Sequence, residues 1–240
     1  MLGIIACEES QRVCKAFRDR GHEVYSCDII SCSGGHPEWH LQGDVLNYLN
    51  GLAFCPDCKN AMYIDDNSAW CDDCGKLYPL SYLTEYRKWD FMIAHPPCTY
   101  LCLSGARWLP NNPQRQKDML DACEFFNKLL NCDIPKIAIE NPLHHKEARK
   151  HIRHYDQLIQ PLYFGETARK TTCLWLKNLP PLMFGLTMPE AKVKSGSGRE
   201  WGKWFWDTSC IPYANGERSK ERSKTFQGIA NAFAEQWGNL

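Results

Sequence analysis

Residues 89–105 read Trp-Asp-Phe-Met-Ile-Ala-His-Pro-Pro-Cys-Thr-Tyr-Leu-Cys-Leu-Ser-Gly. The apolar run Trp89, Phe91, Met92, Ile93, Ala94 is short and stops at two prolines, which is the pattern of a buried strand ending in a rigid turn. Pro96 and Pro97 fix φ and remove two backbone donors, so the Cys98 thiol is presented just past a strand end with little freedom. Two readings of Cys98 follow: a held nucleophile, or a buried inert thiol. Cys102, four residues on, reads as a neighbour with a structural role.

The pattern repeats on either side. Leu2 to Ala6 reads as a first buried strand and Cys7-Glu8-Glu9-Ser10 as the turn leaving it. Val13, Cys14, Ala16 and Phe17 form a short helical stripe closed by Arg20-Gly21, and Glu23 to Cys27 is a second strand ending on Asp28. An acid about 20 residues beyond a first strand–helix turn is where nucleotide-type folds hold a ribose, although Asp28 also reads as a strand-end cap. Gly43-Asp44-Val45 reads by itself as a turn with a helix cap. Downstream, Pro113 to Leu130 has helical spacing, and Pro135 to Ile139 is a further short strand running into Glu140-Asn141-Pro142. In an open parallel sheet the carboxyl ends of strands share one crevice, so Cys98 and Glu140 are expected to face the same ligand.

Between Leu52 and Tyr82 the texture changes. Cys55-Pro-Asp-Cys58 and Cys71-Asp-Asp-Cys74 are two Cys-x-x-Cys knuckles whose four thiolates suit a closed, tetrahedral structural zinc site. So few apolar residues surround them that the metal is expected to stabilise the module. His144, His145, His151 and His154 lie among Lys146, Arg149, Lys150 and Arg153 and read as a solvated basic face. Leu158 to Phe164 and Thr171 to Leu176 read as two strands around a hairpin-like connection. From Pro180 to Arg222 the chain reads as irregular, with basic residues interleaved with Trp201, Trp204, Phe205 and Trp206. That mixture suits phosphates and exposed bases, or tryptophans tucked onto a domain surface. Phe226, Ile229, Ala230, Phe233 and Trp237 are the stripe of a closing helix.

The chain has 240 residues, a formal net charge of zero, 44% apolar and 23% charged residues. These values fit one α/β domain with a small insertion, and the absence of a basic excess disfavours broad polyanion binding. Fourteen cysteines in a chain without a basic leader or a long apolar run point to metal binding, catalysis and burial rather than disulfides. A cytoplasmic protein that does not cross a membrane is expected.

Taken in order, these motifs resemble the DNA (cytosine-5) methyltransferases. Pro96-Pro97-Cys98 resembles the family's Pro-Cys loop, Glu140-Asn141-Pro142 its Glu-Asn-Val motif, and Gly43-Asp44-Val45 its Gly-Asp-Ile step. Thr167-Ala168-Arg169-Lys170 stands where the family has Gln-x-Arg-x-Arg, and Gln227 to Ala232 is similar to its closing Gln-x-Gly-Asn-Ala. Ala6-Cys7-Glu8-Glu9-Ser10 replaces its Phe-x-Gly-x-Gly turn. The resemblance implies a doubly wound, Rossmann-like α/β methyltransferase sheet carrying the zinc-ribbon insertion. It divides the chain into 1–51 and 83–179 as methyltransferase body, 52–82 as zinc ribbon, 180–222 as a reduced target-recognition segment, and 223–240 as the closing helix.

It further implies that Cys98 is the nucleophile, that Glu140 acts at cytosine N3 with a raised pKa, and that Arg169 orients the base. S-adenosylmethionine would lie against Ala6, Cys7, Glu8, Ser10, Asp28, Ile29, Asp44, Val45, Pro96, Asn231 and Ala232. Its ribose would be on Asp28 and its adenine amine on Asp44. The partner would be DNA presenting a flipped or single-stranded cytosine, with the zinc ribbon or a protein partner contributing specificity. Competing readings are a methyltransferase for exocyclic amines, an enzyme placing another group on carbon 5, and a non-catalytic nucleic-acid-binding protein on the same fold. His95 and Cys98 around the double proline favour thiol chemistry over the first.

Overall fold

The computed structural model of the protein describes residues 1–185, 187–212, 214 and 216–240; Leu186, Tyr213 and Asn215, within the segment expected to read DNA, lie outside the described residues. The N-terminal unit runs β1 (Leu2–Ala6), α1 (Arg12–Arg18), β2 (Glu23–Asp28) and β3 (His40–Gln42). A three-stranded insertion follows: β4 (Tyr63–Ile64), β5 (Ser68–Cys71) and β6 (Lys76–Pro79). The chain then returns through β7 (Phe91–Ala94), α2 (Pro113–Asn131), β8 (Lys136–Pro142), β9 (Gln157–Ile159) and β10 (Thr172–Lys177). It finishes with a hairpin, β11 (Lys192–Lys194) and β12 (Glu200–Gly202), and three helices, α3 (Lys203–Ser209), α4 (Glu217–Ser223) and α5 (Gln227–Trp237).

The central sheet has seven strands in the order β3-β2-β1-β7-β8-β10-β9, all parallel except β10, which runs antiparallel between β8 and β9. This is the doubly wound α/β architecture expected from the sequence. The strands read as nearly continuous apolar runs because both faces are covered. Ile4, Met92, Ile137 and Ile139 point into the layer containing α2, while Ile5, Phe91, Ile93 and Ala138 point into the layer containing α1 and α5. Among the described residues, no helix is long and apolar enough to cross a membrane.

Strand order reverses between β1 and β7, so a crevice opens at their carboxyl ends. Ala6 pairs with Ala94 and Ala94 with Ile139, so Cys7, His95 and Glu140 each come one residue after these matched positions. Register alone thus collects three side chains that lie far apart in the sequence.

The insertion is closed at its neck by the mutual backbone hydrogen bonds of Leu52 and Arg87, at 2.8 and 2.9 Å. Segment 180–222 differs from its expected irregularity: it contains the β11–β12 hairpin, α3 and α4. Trp201 and Phe205 stack across the strand–helix junction, a tertiary contact that local composition does not reveal. Residues 161–164, expected to continue a strand, form a 3₁₀ turn opened by Pro161.

A methyl group added at Gly3 on β1 would lie 2.2 Å from the Phe91 ring, which is itself stacked on Phe17. Gly3→Ala should therefore destabilise the protein by about 1–3 kcal/mol in urea titrations.

Candidate active site and metal centre

Pro96 and Pro97 deprive the Cys98 loop of two backbone donors, and the loop is held instead by groups at the end of β8 and just past it. Asn141 Nδ2 donates to the Pro96 carbonyl at 2.7 Å, and the buried His144 donates through Nε2 to Asn141 Oδ1 at 3.0 Å. His145 donates its backbone N–H to the Leu101 carbonyl and its Nε2–H to the Tyr100 carbonyl, both at 2.9 Å. The expected basic face is therefore corrected for His144 and His145, which are buried latches on the loop; His151 and His154 are exposed. Sequence composition could not separate them, because the four share the same basic neighbourhood.

Glu140 is buried, and its Oε2 accepts from His95 Nδ1 at 2.8 Å and from Thr225 Oγ1 at 3.0 Å. Burial alone would raise its pKa. The His95 hydrogen bond, the Lys170 charge and the Thr225 hydroxyl outweigh burial and hold Glu140 down to about 2. The raised value expected for Glu140 is thereby corrected: without a base in the site, it is a carboxylate paired with an imidazole. His95 Nε2 is buried without a hydrogen-bond partner.

Cys98 is mostly buried, and its thiol is pushed up by its hydrogen bond with Cys102 and by burial, with Lys170 pulling the other way. Cys102 donates its backbone N–H to the Cys98 carbonyl at 3.0 Å and its sulfur contacts Ser104 Oγ at 3.0 Å; pairing with Cys98 and with Ser104 holds the Cys102 thiol below its ordinary range. Lys170 acts on both Cys98 and Glu140, and its Nζ donates to the Lys224 carbonyl at 3.5 Å. Arg169 instead points outward, 65% exposed, with its Nε 4.0 Å from Glu190. Sequence reasoning singled out Arg169, noted His95 and Lys170 without giving either a role at Glu140, and missed Thr225. The one signal for Lys170 was its position directly after Arg169.

At the other side of the crevice, Asp28 ends β2 and Asp44 lies two residues past β3. Together with burial, their charges push the Cys7 thiol up to about 12, and both also act on Cys27. Asp28 accepts the Ile30 N–H at 3.2 Å and Asp44 the Leu46 N–H at 3.0 Å, so each acid also serves as a local cap. Ile29 is 73% exposed beside them. Two acids and an uncovered apolar side chain around the strand ends fit a ligand with hydroxyls, an amine and a flat apolar face, as adenosine has. Cys7 and Gln11 bracket the turn with φ of 58° and 56°, so it keeps left-handed backbone positions without glycine.

Glu8 faces inward and accepts the N–H groups of Val13 and Cys14 at 2.7 and 3.1 Å, capping α1. Ala6, Val45 and Pro96 are buried, which leaves mainly their backbones to a ligand; Ser10 is half-buried. Asn231 is exposed on α5 and accepts from Gln227 at 3.0 Å, while Ala232 packs into the α1–α5 layer.

In the insertion, the sulfurs of Cys55, Cys58, Cys71 and Cys74 all lie within 4.8 Å of one another, with Cys55–Cys74 at 3.9 Å and Cys58–Cys71 at 3.5 Å. A tetrahedral ion with metal–sulfur bonds of about 2.3 Å needs sulfurs roughly 3.8 Å apart, so the four residues fit zinc with no open coordination position. The module's own core is small, comprising Ala53, Met62, Ile64 and Ala69 beside two of the cysteines.

Among solved structures, the chain is similar to a protein from E. coli described as a DNA modification methyltransferase encoded within a prophage. The likeness has 13% identity and a TM-score of 0.39, and covers 73% of this chain and 46% of that one. The chain thus spans less than half the length of that protein. No family model matches the sequence, and no curated protein matches it.

Two outcomes are expected from these environments. Purified protein should carry one zinc per chain by elemental analysis, and Cys71→Ser should lose it and make residues 52–87 sensitive to protease. Burial, with the His145 and Arg149 charges, holds His144 down to about 4, below its ordinary 6.5, so it is neutral in the folded state. Stability should therefore be full above pH 6.5 and fall as pH drops toward 4, by about 2 kcal/mol between pH 7 and 5. His144→Phe should flatten that slope in urea titrations at the two pH values.

Proposed function

We propose that the protein transfers a methyl group from S-adenosylmethionine to carbon 5 of cytosine in DNA through a covalent adduct at Cys98. The observation carrying this reading is that the Cys98 loop leaves β7 beside Glu140 near the end of the adjacent parallel strand β8, and that the Asn141–Pro96 hydrogen bond ties the loop to that strand. Cytosine carbon 5 is a poor nucleophile. Addition of the Cys98 sulfur to carbon 6 forms an S–C bond and moves an electron pair toward carbon 5, provided that N3 holds a proton. Glu140, hydrogen-bonded to His95 and Thr225, is the group that faces N3 in this reading, and the carboxylate–imidazole pair carries the proton.

Lys170 favours the Cys98 thiolate over the resting thiol. The family role given to Arg169 passes to Lys170, because Arg169 is exposed beside Glu190. Asp28 takes the cofactor's ribose hydroxyls, Asp44 its adenine amine, and Ile29 covers the ring. When bound, S-adenosylmethionine supplies an electrophilic methyl group. Loss of the carbon 5 proton then lets the carbon 6–sulfur bond break and returns the Cys98 thiolate. A base inside a duplex cannot reach a thiol in this crevice, so the cytosine must be unpaired or flipped.

DNA bearing 5-fluorocytosine, incubated with S-adenosylmethionine, should yield a denaturation-resistant protein–DNA complex, because fluorine blocks the final elimination. Cys98→Ser should abolish the complex, and Lys170→Met should slow its formation roughly tenfold, the effect of about one pKa unit at the thiol. A complex that persists in Cys98→Ser removes the nucleophile assignment. Nucleic-acid binding with no complex and no methyl transfer favours the non-catalytic alternative.

A further inference from the structure

The aromatic cluster after the β11–β12 hairpin is not used by the chemistry above. Trp201 stacks on Phe205 with ring centroids 5.9 Å apart and lies 6.5 Å from Trp206. Phe205 is 46% and Trp206 37% exposed, although large rings of a folded domain are ordinarily covered. Two guanidinium groups lie against the same rings: Arg199 over Trp201 at 4.3 Å and Arg222 over Phe205 at 4.9 Å. Arg222 is held there by Thr208 Oγ1 at 3.0 Å and Ser209 Oγ at 2.8 Å, so the layered face is built rather than incidental.

The helix that carries this face, α3, packs next to the candidate active site through its neighbouring residue Trp204. Trp204 on α3 packs against Phe226 at 5.4 Å, and the preceding residue, Thr225, donates to Glu140. Charge complementarity points to a polyanion: basic side chains outnumber acidic ones eight to five between residues 190 and 224. Several of those bases are already neutralised, as with Lys203–Asp207 at 2.6 Å and Lys192–Glu200 at 3.6 Å. The zinc module has the opposite balance, with five aspartates against two lysines between residues 52 and 82, which disfavours phosphates there. A modest positive charge joined to uncovered aromatic rings suits stacking on unpaired bases better than gripping a duplex backbone.

We infer that Trp201, Phe205 and Trp206, with Arg199 and Arg222, form a stacking platform for unpaired DNA bases flanking the target cytosine, so that the substrate is single-stranded DNA. The inference rests on the reading of the protein as acting on cytosine in DNA. Stacking tolerates any base, so the platform provides strand-state selectivity and little sequence selectivity. The acidic zinc module stays clear of the strand.

Binding of a single-stranded oligothymidylate, followed by quenching of tryptophan fluorescence, tests the platform without any cytosine chemistry. The wild-type protein should bind it at least tenfold more tightly than a duplex of the same length. Phe205→Ala should weaken that binding roughly tenfold, whereas Phe205→Trp, which keeps a stacking ring, should retain it. If Phe205→Ala disturbs α3, a change in its near-ultraviolet circular dichroism reports this, and the Phe205→Trp result together with the strand preference carries the test. Equal or tighter binding of the duplex overturns the inference, as does loss of binding in Phe205→Trp or full binding in a folded Phe205→Ala. Oligothymidylate binding without any adduct on 5-fluorocytosine DNA would leave the platform standing and remove the methyltransferase reading. Adduct formation on duplex DNA without single-strand preference would do the reverse.

Discussion

The hydrogen bond from Asn141 to the Pro96 carbonyl is the contact on which the site's geometry turns. The His95 N–H still bonds the Ala6 carbonyl of β1, but the two prolines that follow make the Cys98 loop stiff and carry no N–H with which to continue that pairing. Asn141 supplies the missing donor from the neighbouring strand, and His144 fixes the orientation of its amide. In a dry interior a lost partner costs about 1–3 kcal/mol, so each member of this chain is held to one rotamer. Asn141 also follows Glu140 directly. The loop bearing the thiol and the strand bearing the carboxylate are thereby fixed to each other as one unit.

Around that unit, charge is assembled from four separate segments. Glu140 comes from β8, His95 from the end of β7, Lys170 from the connection before β10, and Thr225 from the turn before α5. A buried carboxylate is unfavourable unless hydrogen-bonded and paired, and here one oxygen receives both an imidazole N–H and a hydroxyl. The C-terminal segment is tied down in the same region, since Arg12 donates to the Thr225 carbonyl at 2.9 Å and Lys220 lies 3.5 Å from Glu9. Residues 217–226 consequently bridge the candidate cofactor turn and the candidate catalytic carboxylate.

The two appendages of the sheet divide along physical lines. The module at 52–87 combines a small core and an acidic composition with four clustered sulfurs that fit one metal ion. The hairpin and α3 contain no such cluster among the described residues, and their order comes from ring stacking and from Arg222 bonded to α3. Helix α3 approaches Glu140 through Trp204, which packs on Phe226 next to Thr225.

Local sequence was sufficient for the strands, whose apolar runs at Leu2–Ala6, Phe91–Ala94 and Ile137–Ile139 are buried on both faces, and for the cysteine knuckles, whose four sulfurs lie within 4.8 Å of one another. It also marked Cys98 and Glu140, since each follows or ends a strand beside proline. It marked His95 only as a neighbour of the double proline and did not mark Thr225, because their contacts with Glu140 span 45 and 85 residues. It also misjudged His144 and His145, which share their basic neighbourhood with the exposed His151 and His154. The physical reason is that backbone period and turn chemistry act over a few residues, whereas burial and ionisation depend on which strands lie side by side. That adjacency makes Glu140 an ionised partner of His95 and turns two surface-looking histidines into the latches of the Cys98 loop, while Arg169 stays exposed beside Glu190 and the Lys170 charge acts on Cys98 and Glu140.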